Sequence, residues 1–225
     1  LSARLGHGDL EAPLPVFAFY GAGRLPSTKA ESAVIPRGEA RTRADGLRHA
    51  LDQVTRFEQG TVWFAQEWVS ELSSRIGDTG HETPTMRALR QALNATLLTP
   101  EGMGIKNPHL MTKTQVLAVD FARPGQNDLE LELGQLSDGF RTLFALVTDL
   151  LRRIVECNPA REGETDPATR WRNTPAVVLI DEIDAHLHPS WQKTVLAGLL
   201  AAFPRAQFFV TTHSPLVLGA ERDLI

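Results

Sequence analysis

The feature that most constrains this chain is the run VVLIDEIDAHLHPSW, from Val177 to Trp191. It begins as a continuous apolar segment, AVVLI, as expected of a strand in a parallel sheet with both faces covered. The segment ends abruptly in Asp181, Glu182 and Asp184, and His186 and His188 come directly after. A second run, QFFVTTHSP, has the same shape: an apolar strand, then Thr211, Thr212 and His213. Between them Pro189 and Ser190 open a helix that runs to about Ala202 and is stopped by Pro204. The whole is a βαβ unit of about 30 residues, which suits a right-handed crossover. Two strands joined in this way are parallel, and their carboxyl ends lie where open parallel sheets bind ligands. The expected fold class is α/β.

Two chemistries use acids and imidazoles crowded at a strand end. One is the magnesium and water side of a nucleotide triphosphatase: the first acid holds Mg²⁺, directly or through water, and the second polarises the attacking water. A histidine at the neighbouring strand end then bonds the γ-phosphate. The other is a metal hydrolase cluster of Asp181, Asp184, His186, His188 and His213, since imidazole and carboxylate suit zinc. Against it, HLHPSW lacks the D-H that completes an H-x-H-x-D-H spacing. A buried strand can also end in an acid that is merely solvated. A further element bears on the choice. In LSDGFRTLFALVTDLLRRI, Phe140, Leu143, Phe144, Val147, Leu150, Leu151 and Ile154 keep the helical period. Ser137 stands at the N-cap and Gly139 in the first turn, where unpaired N–H groups and the helix dipole can hold a phosphate. The plain alternative is an ordinary serine-capped helix.

The remaining chain gives organisation and exclusions. Net charge is −4 with 22% charged residues, so no global basic field points to nucleic acid. Cys157 is the only cysteine, which excludes an internal disulfide and fits a reducing compartment. No apolar run approaches the ~18 residues of a membrane span, so no membrane partner is expected. VFAFY (16–20), closed by GAG, reads as a buried strand. The arm from Arg24 to Arg56 carries seven basic against four acidic residues, a pattern of a solvated insertion or of a phosphate or nucleic-acid contact. Trp63 to Ile76 is expected as a helix with Phe64, Trp68, Leu72 and Ile76 on one face; Met86, Leu89, Leu93 and Leu97 make a second stripe. QVLAVDFAR and DLELEL, joined by PGQN, predict a hairpin with Leu129, Leu131 and Leu133 on its buried face. NPAREGETDPATRWRNTP predicts a long surface loop.

Taken in order, these motifs resemble those of ABC-type ATPases. LSDGFR is similar to their signature motif, VVLIDE to their Walker B strand, DAHLHP to their D-loop and VTTHS to their switch histidine. LSDGFR, IDEIDAHLHPSWQ and FFVTTHSP resemble the soluble bacterial RecF/SMC/OLD-like branch, including the ATPase subunit of Septu-type antiphage systems. LPVFAFYGAGR is similar to that branch's strand and arginine loop. The resemblance implies a P-loop NTPase fold with a helical subdomain and a β-hairpin. It also implies ATP and Mg²⁺ as cofactors, and a homodimer closed head to tail around ATP. By position it implies that Asp181 organises Mg²⁺, Glu182 activates the water and His213 senses the γ-phosphate. Ser137 and Gly139 would contact ATP held by the other subunit, Asp184 would lie in the D-loop at the seam, and Arg24 would reach a phosphate. His186 and His188 are expected to shape the D-loop turn. A DNA partner or a nuclease subunit is compatible with this branch.

One departure is plain: no lysine among Lys29, Lys106, Lys113 and Lys193 comes after a glycine, so the G-x-x-x-x-G-K-[ST] phosphate loop is absent. The chain starts at Leu1 and stops at ERDLI, so a truncated single domain over 1–225 is expected, with 24–113 largely helical or inserted and 114–225 carrying the signature, Walker B and switch histidine. ATPase activity is expected of the complete protein, which would be cytoplasmic, and no turnover is expected of this chain alone. A scaffold of the same fold that senses nucleotide without hydrolysing it is the alternative.

Overall fold

The computed structural model describes residues 13–23, 47, 50, 57–74, 82–98, 104–111, 114 and 116–220. In chain order the elements are β1 (Val16–Tyr20), α1 (Phe57–Ser74), α2 (Pro84–Leu97), β2 (Gly104–Leu110), β3 (Leu117–Ala122), β4 (Leu129–Glu132), α3 (Asp138–Cys157) and α4 (Pro167–Arg172). They continue with β5 (Ala176–Ile180), α5 (Pro189–Gln192), α6 (Val195–Ala202), β6 (Ala206–Val210) and α7 (Pro215–Ala220). Arg24 and Ile76, like most of the arm from Arg24 to Arg56, lie outside the described residues.

Two sheets organise the described chain. The three apolar runs form a parallel sheet of order β1-β5-β6 with no stagger: Val16, Ala176 and Ala206 are level at one end, Tyr20, Ile180 and Val210 at the other. β2-β3-β4 is antiparallel, with the expected hairpin made by β3 and β4, but the face expected to be buried is not sealed: Leu129 is 42% exposed and Leu131 and Leu133 are only half-buried. The α/β expectation, with flanking helices and a hairpin, holds. β2 itself is not foreseen by the sequence pattern. Its sequence GIKNPHL contains glycine and proline, and a strand tolerates them here because β2 is an edge strand whose register shifts between Lys106 and His109.

One side of the parallel sheet is sealed. Val16, Ala18, Tyr20, Val178 and Ile180 point into a core shared with α2, α3 and α6. The long helix α3 packs on α1, α2 and β1 with Leu143, Phe144, Val147, Leu150, Leu151 and Ile154 buried, as its periodicity predicts. The stripe Met86, Leu89, Leu93 and Leu97 of α2 is likewise buried. The other side of the sheet differs from expectation. Phe17, Leu179 and Phe209 are exposed, Phe209 to 53%, so AVVLI is covered on only one face by the described chain.

Three local departures stand out, and the first two have clear causes. On α1 the buried face carries Trp63, Phe64 and Glu71, while Leu72 is 47% exposed. Glu71 can be buried because Arg90 donates to both of its carboxylate oxygens at 3.2 Å. Within the expected loop, α4 forms because Asp166 caps it, accepting the Thr169 N–H at 3.3 Å, and Pro167 presets its first turn. The Trp171 indole on this helix donates to the Asn158 carbonyl at 2.6 Å. The helix after Pro189 is broken into α5 and α6 at Lys193 and Thr194.

Where α6 crosses α2 the backbones nearly touch: a Cβ on Gly198 would stand 2.6 Å from the Ala95 carbonyl oxygen. Gly198→Ala is therefore expected to force the helices apart and cost about 1–3 kcal/mol despite alanine's better helix propensity. Chemical denaturation of the variant against the parent measures it.

Candidate functional site

The level ends of β1, β5 and β6 gather the residues at which each strand gives way to its loop. Asp181 continues the sheet by one rung, its N–H donating to the Tyr20 carbonyl at 2.8 Å. On the other flank the Thr211 N–H donates to the Ile180 carbonyl, and the Ile183 N–H to the Thr211 carbonyl, both at 3.0 Å. The chain must then leave the sheet. It does so through Glu182, which adopts a left-handed backbone with φ of 49°. Such a conformation is uncommon for a residue with a β-carbon and costs of order 1–3 kcal/mol. His186 repeats it with φ of 63°, and two turns, Ala185 N–H to Glu182 carbonyl at 2.9 Å and Leu187 N–H to Asp184 carbonyl at 3.1 Å, compact the loop.

Thr211 and Thr212 tie this loop to β6. The Thr211 hydroxyl donates to Asp181 Oδ1 at 2.5 Å and accepts the Glu182 N–H at 2.8 Å. The Thr212 hydroxyl donates to Asp184 Oδ1, which also accepts the His213 N–H at 3.2 Å. Ser214 continues the series, its hydroxyl donating to Gln192 Oε1 at 2.7 Å, while the Gln192 amide donates to the Leu187 carbonyl at 2.9 Å. Asp181, Glu182, Asp184 and His213 are thus gathered at one edge. Sequence reasoning assigns no role to the cross-links made by Thr211, Thr212 and Gln192. Two threonines directly after an apolar strand are their only sequence signal.

Helix α3 delivers Ser137 and Gly139 to the same loop from another direction. The Ser137 hydroxyl caps α3, accepting the Phe140 N–H at 3.5 Å. Gly139 lies against the loop of its own chain: a Cβ there would stand 2.3 Å from the His186 carbonyl oxygen. The glycine is therefore required by a close backbone approach within this chain, a duty its place in the motif does not reveal. Asp149, further along α3, bonds Tyr20 at the end of β1. Twelve residues separate it from Ser137, so at 1.5 Å per residue Ser137 stands about 18 Å along the helix from that contact.

The alternative zinc cluster is not assembled. Among the described residues no group of three or more His, Cys, Asp or Glu side chains is arranged to hold a metal ion. Asp184 is engaged by Thr212 and His213, and His188 caps α5, its Nδ1 accepting the Ser190 N–H at 3.3 Å. Asp181, by contrast, presents carboxylate oxygens at the strand end with Thr211 orienting one of them. That donor chemistry fits Mg²⁺, which takes one or two carboxylates and completes its shell with water and phosphate oxygens.

A parallel sheet with flanking helices, a second antiparallel sheet and acids on the central strand's carboxyl end fit the fold of P-loop nucleoside triphosphatases. The chain belongs to the family described as "AAA domain, putative AbiEii toxin, Type IV TA system", which matches residues 66–219. It is 47% identical over 238 residues to the "Retron Vc95 probable ATPase" of Vibrio cholerae serotype O1 biovar El Tor, covering 91% of this chain and 45% of that protein. It is 45% identical over 89 residues to the "Septu protein PtuA" of Bacillus mycoides strain KBAB4, covering 39% of this chain and 11% of that protein. The chain thus spans less than half the length of these relatives. Among solved structures, the SMC head domain from Thermotoga maritima is 17% identical with a TM-score of 0.38, covering 65% of this chain and 43% of that one.

Burial raises the Asp184 carboxyl, but hydrogen bonds from the Thr212 hydroxyl and from the N–H groups of Asp184 and His213 outweigh it and hold the group below the usual aspartate range. A carboxyl depressed in the folded state contributes stability above its unfolded pKa and loses it as pH falls through the folded one. Thr212→Val should move Asp184 upward. The variant should be less stable than the parent at neutral pH, and the difference should narrow once the medium is acid enough to protonate Asp184 in both, leaving the pH-independent loss of the Ser214 N–H bond to the Thr212 hydroxyl. NMR titration of the Asp184 carboxyl, with denaturation measured at both pH extremes, checks the shift and its sign.

Proposed function

We propose that this chain is the magnesium and water side of an ATP hydrolase that closes as a head-to-tail dimer around ATP. The observation that carries the reading is the unstaggered β1-β5-β6 register, which sets Asp181 and Glu182 beside Thr211, Thr212 and His213 on one edge. The left-handed backbone at Glu182 supports it, because such strain persists where surroundings impose it and clusters at functional sites.

Asp181 would hold Mg²⁺, which when bound would supply positive charge to offset the charge that develops on the phosphate. Glu182 accepts a proton from water as the water oxygen bonds the γ-phosphorus. The bond from that phosphorus to the β–γ bridging oxygen breaks, and ADP and phosphate leave. His213 senses the γ-phosphate, with its main chain anchored through Asp184. Ser137 stands on the far part of α3 and acts on nucleotide bound by the partner subunit; Gly139 lets the D-loop pack beneath it. The D-loop residue Asp184 borders the dimer seam, and Arg24 reaches a phosphate.

The G-x-x-x-x-G-K-[ST] loop belongs to another part of the full-length protein. The relatives' greater length and the exposed apolar side of the parallel sheet support a further layer there. The resemblance to Septu-type ATPases, with relatives named for retrons and Septu, supports antiphage work in the cytoplasm with a nuclease subunit or DNA as partner. No helix among the described residues is long and apolar enough to cross a membrane.

In the full-length protein, Glu182→Gln should cut turnover by about 10²- to 10⁴-fold while ATP binding survives. With hydrolysis no longer releasing it, the closed dimer should accumulate with Mg-ATP on size-exclusion chromatography. Turnover near the parental rate would end the catalytic role of Glu182, and a parent that binds ATP but never hydrolyses it would favour the nucleotide-sensing scaffold.

Ser137→Arg should abolish turnover yet leave nucleotide binding by the monomer intact. Mixed with a variant defective only in the phosphate loop, it should regain activity through heterodimers holding one intact site. Mixtures that stay inactive at every ratio would count against action across the seam.

A further inference from the structure

Tyr20 has two attachments that reach different parts of the molecule. Its main-chain carbonyl accepts the Asp181 N–H at 2.8 Å, the last rung between β1 and β5 before the acids. Its side chain points into the core and its hydroxyl donates to Asp149 Oδ2 on α3 at 3.1 Å. Asp149 is itself fixed on both oxygens: Arg153 Nε donates to Oδ2 at 2.8 Å and Arg152 donates to Oδ1 at 2.7 and 3.1 Å. Arg152 also reaches Glu156 at 2.6 Å. Two acids and two arginines balance, and Asp149 is 1% exposed. Burial, and then the Asp149 charge, push the Tyr20 phenol well above its usual range, so its hydroxyl remains a donor.

A second link fastens the opposite end of the strand. Asn158, at the end of α3, accepts the Leu14 N–H at 2.7 Å and donates to the Leu14 carbonyl at 3.1 Å. The helix therefore grips β1 before its first residue and at its last. The two grips differ in what they adjoin: the Asn158 grip lies at the far end of the strand, while the Tyr20 grip is one hydrogen bond from Asp181. A sealed ionic cluster is a poor way to gain stability, since apolar residues of similar volume do as well or better. What it supplies is a single orientation for the groups it binds.

We propose that Tyr20 is a positioning residue for Asp181: the Asp149 cluster fixes the tyrosine from inside the core, and the tyrosine carbonyl fixes the Asp181 main chain at the strand end. The role of Asp181 toward Mg²⁺ rests on the function proposed above; the mechanical link does not.

The test is hydrogen–deuterium exchange across residues 177–186 of the full-length protein, in the parent, Tyr20→Phe, Asp149→Asn and Asn158→Ala. Tyr20→Phe keeps the ring and removes only the hydroxyl. It should speed exchange of the Asp181 amide about tenfold, the scale of one lost hydrogen bond. Asp149→Asn should speed it at least as much, since it also leaves Arg153 without its carboxylate, whereas Asn158→Ala should leave Asp181 unchanged even if it lowers the melting temperature. In turnover assays Tyr20→Phe should raise the Mg²⁺ concentration for half-maximal rate without changing nucleotide affinity. An Asp181 amide indifferent to Tyr20→Phe, or loosened equally by Asn158→Ala, would overturn the proposal. A parent without ATP turnover would overturn the functional reading instead, and the exchange comparison would still decide this one.

Discussion

The hydrogen-bonded pairing of β5 with parallel strands on both sides is the constraint on which the rest depends. Each strand is five residues long and the three are level, so every chain leaves the sheet along the same line. Apolar side chains can fill the strands because the polar residues are held back to that line. A slip of one residue would turn Ile180 and Val178 away from the core and drive Asp181 into the ladder. The register therefore protects the core and assembles the polar edge at once. The threonines of the next strand bear the same double duty: they bond the acids sideways and leave the loop no freedom to fold back over the sheet.

How much of this is legible in the sequence depends on how local the cause is. The strands β1, β5 and β6 and the helix α3 are readable because their apolar patterns and Ser137 cap lie within a few residues of one another. The edge residues Asp181, Glu182, Asp184 and His213 are readable for the same reason. What escapes is decided by partners far along the chain. Leu72 looks like core, but Glu71 holds the buried place because Arg90 waits on α2 to neutralise it. β2 carries residues that argue against a strand, and only its edge position excuses them. Gly139 reads as an opening for phosphate, yet its tightest neighbour is the backbone of His186, 47 residues on. Helix α4 is different, a plain miss, since Asp166 and Pro167 spell a helix start.

Helix α3 connects these observations. It presents an apolar stripe to the core, a capped N-terminus to the polar edge and an ionic cluster to β1. Arg152 and Arg153 are adjacent in sequence, and both reach Asp149 because i,i+3 and i,i+4 neighbours share one face of a helix. Such a helix is poorly free to rotate or slide, because either motion breaks charged contacts away from water. The Ser137 end of the helix and the acid loop, in close backbone contact at Gly139 and His186, should therefore move as one piece.

The parallel sheet also has a consequence for how the chain must be made. Val16 pairs with Ala176, 160 residues further on, and among the described residues no closer strand stands in for it in the sheet. At the usual ~5–20 residues per second of synthesis, VFAFY would wait roughly 8–30 s after its own appearance before its partner is even translated. During that time a strand apolar on both faces lacks the neighbour it pairs with, and contacts so distant in sequence close slowly once they can. Newborn chains of this protein are thus candidates for chaperone capture, and slowing translation between the two strands lengthens their exposure.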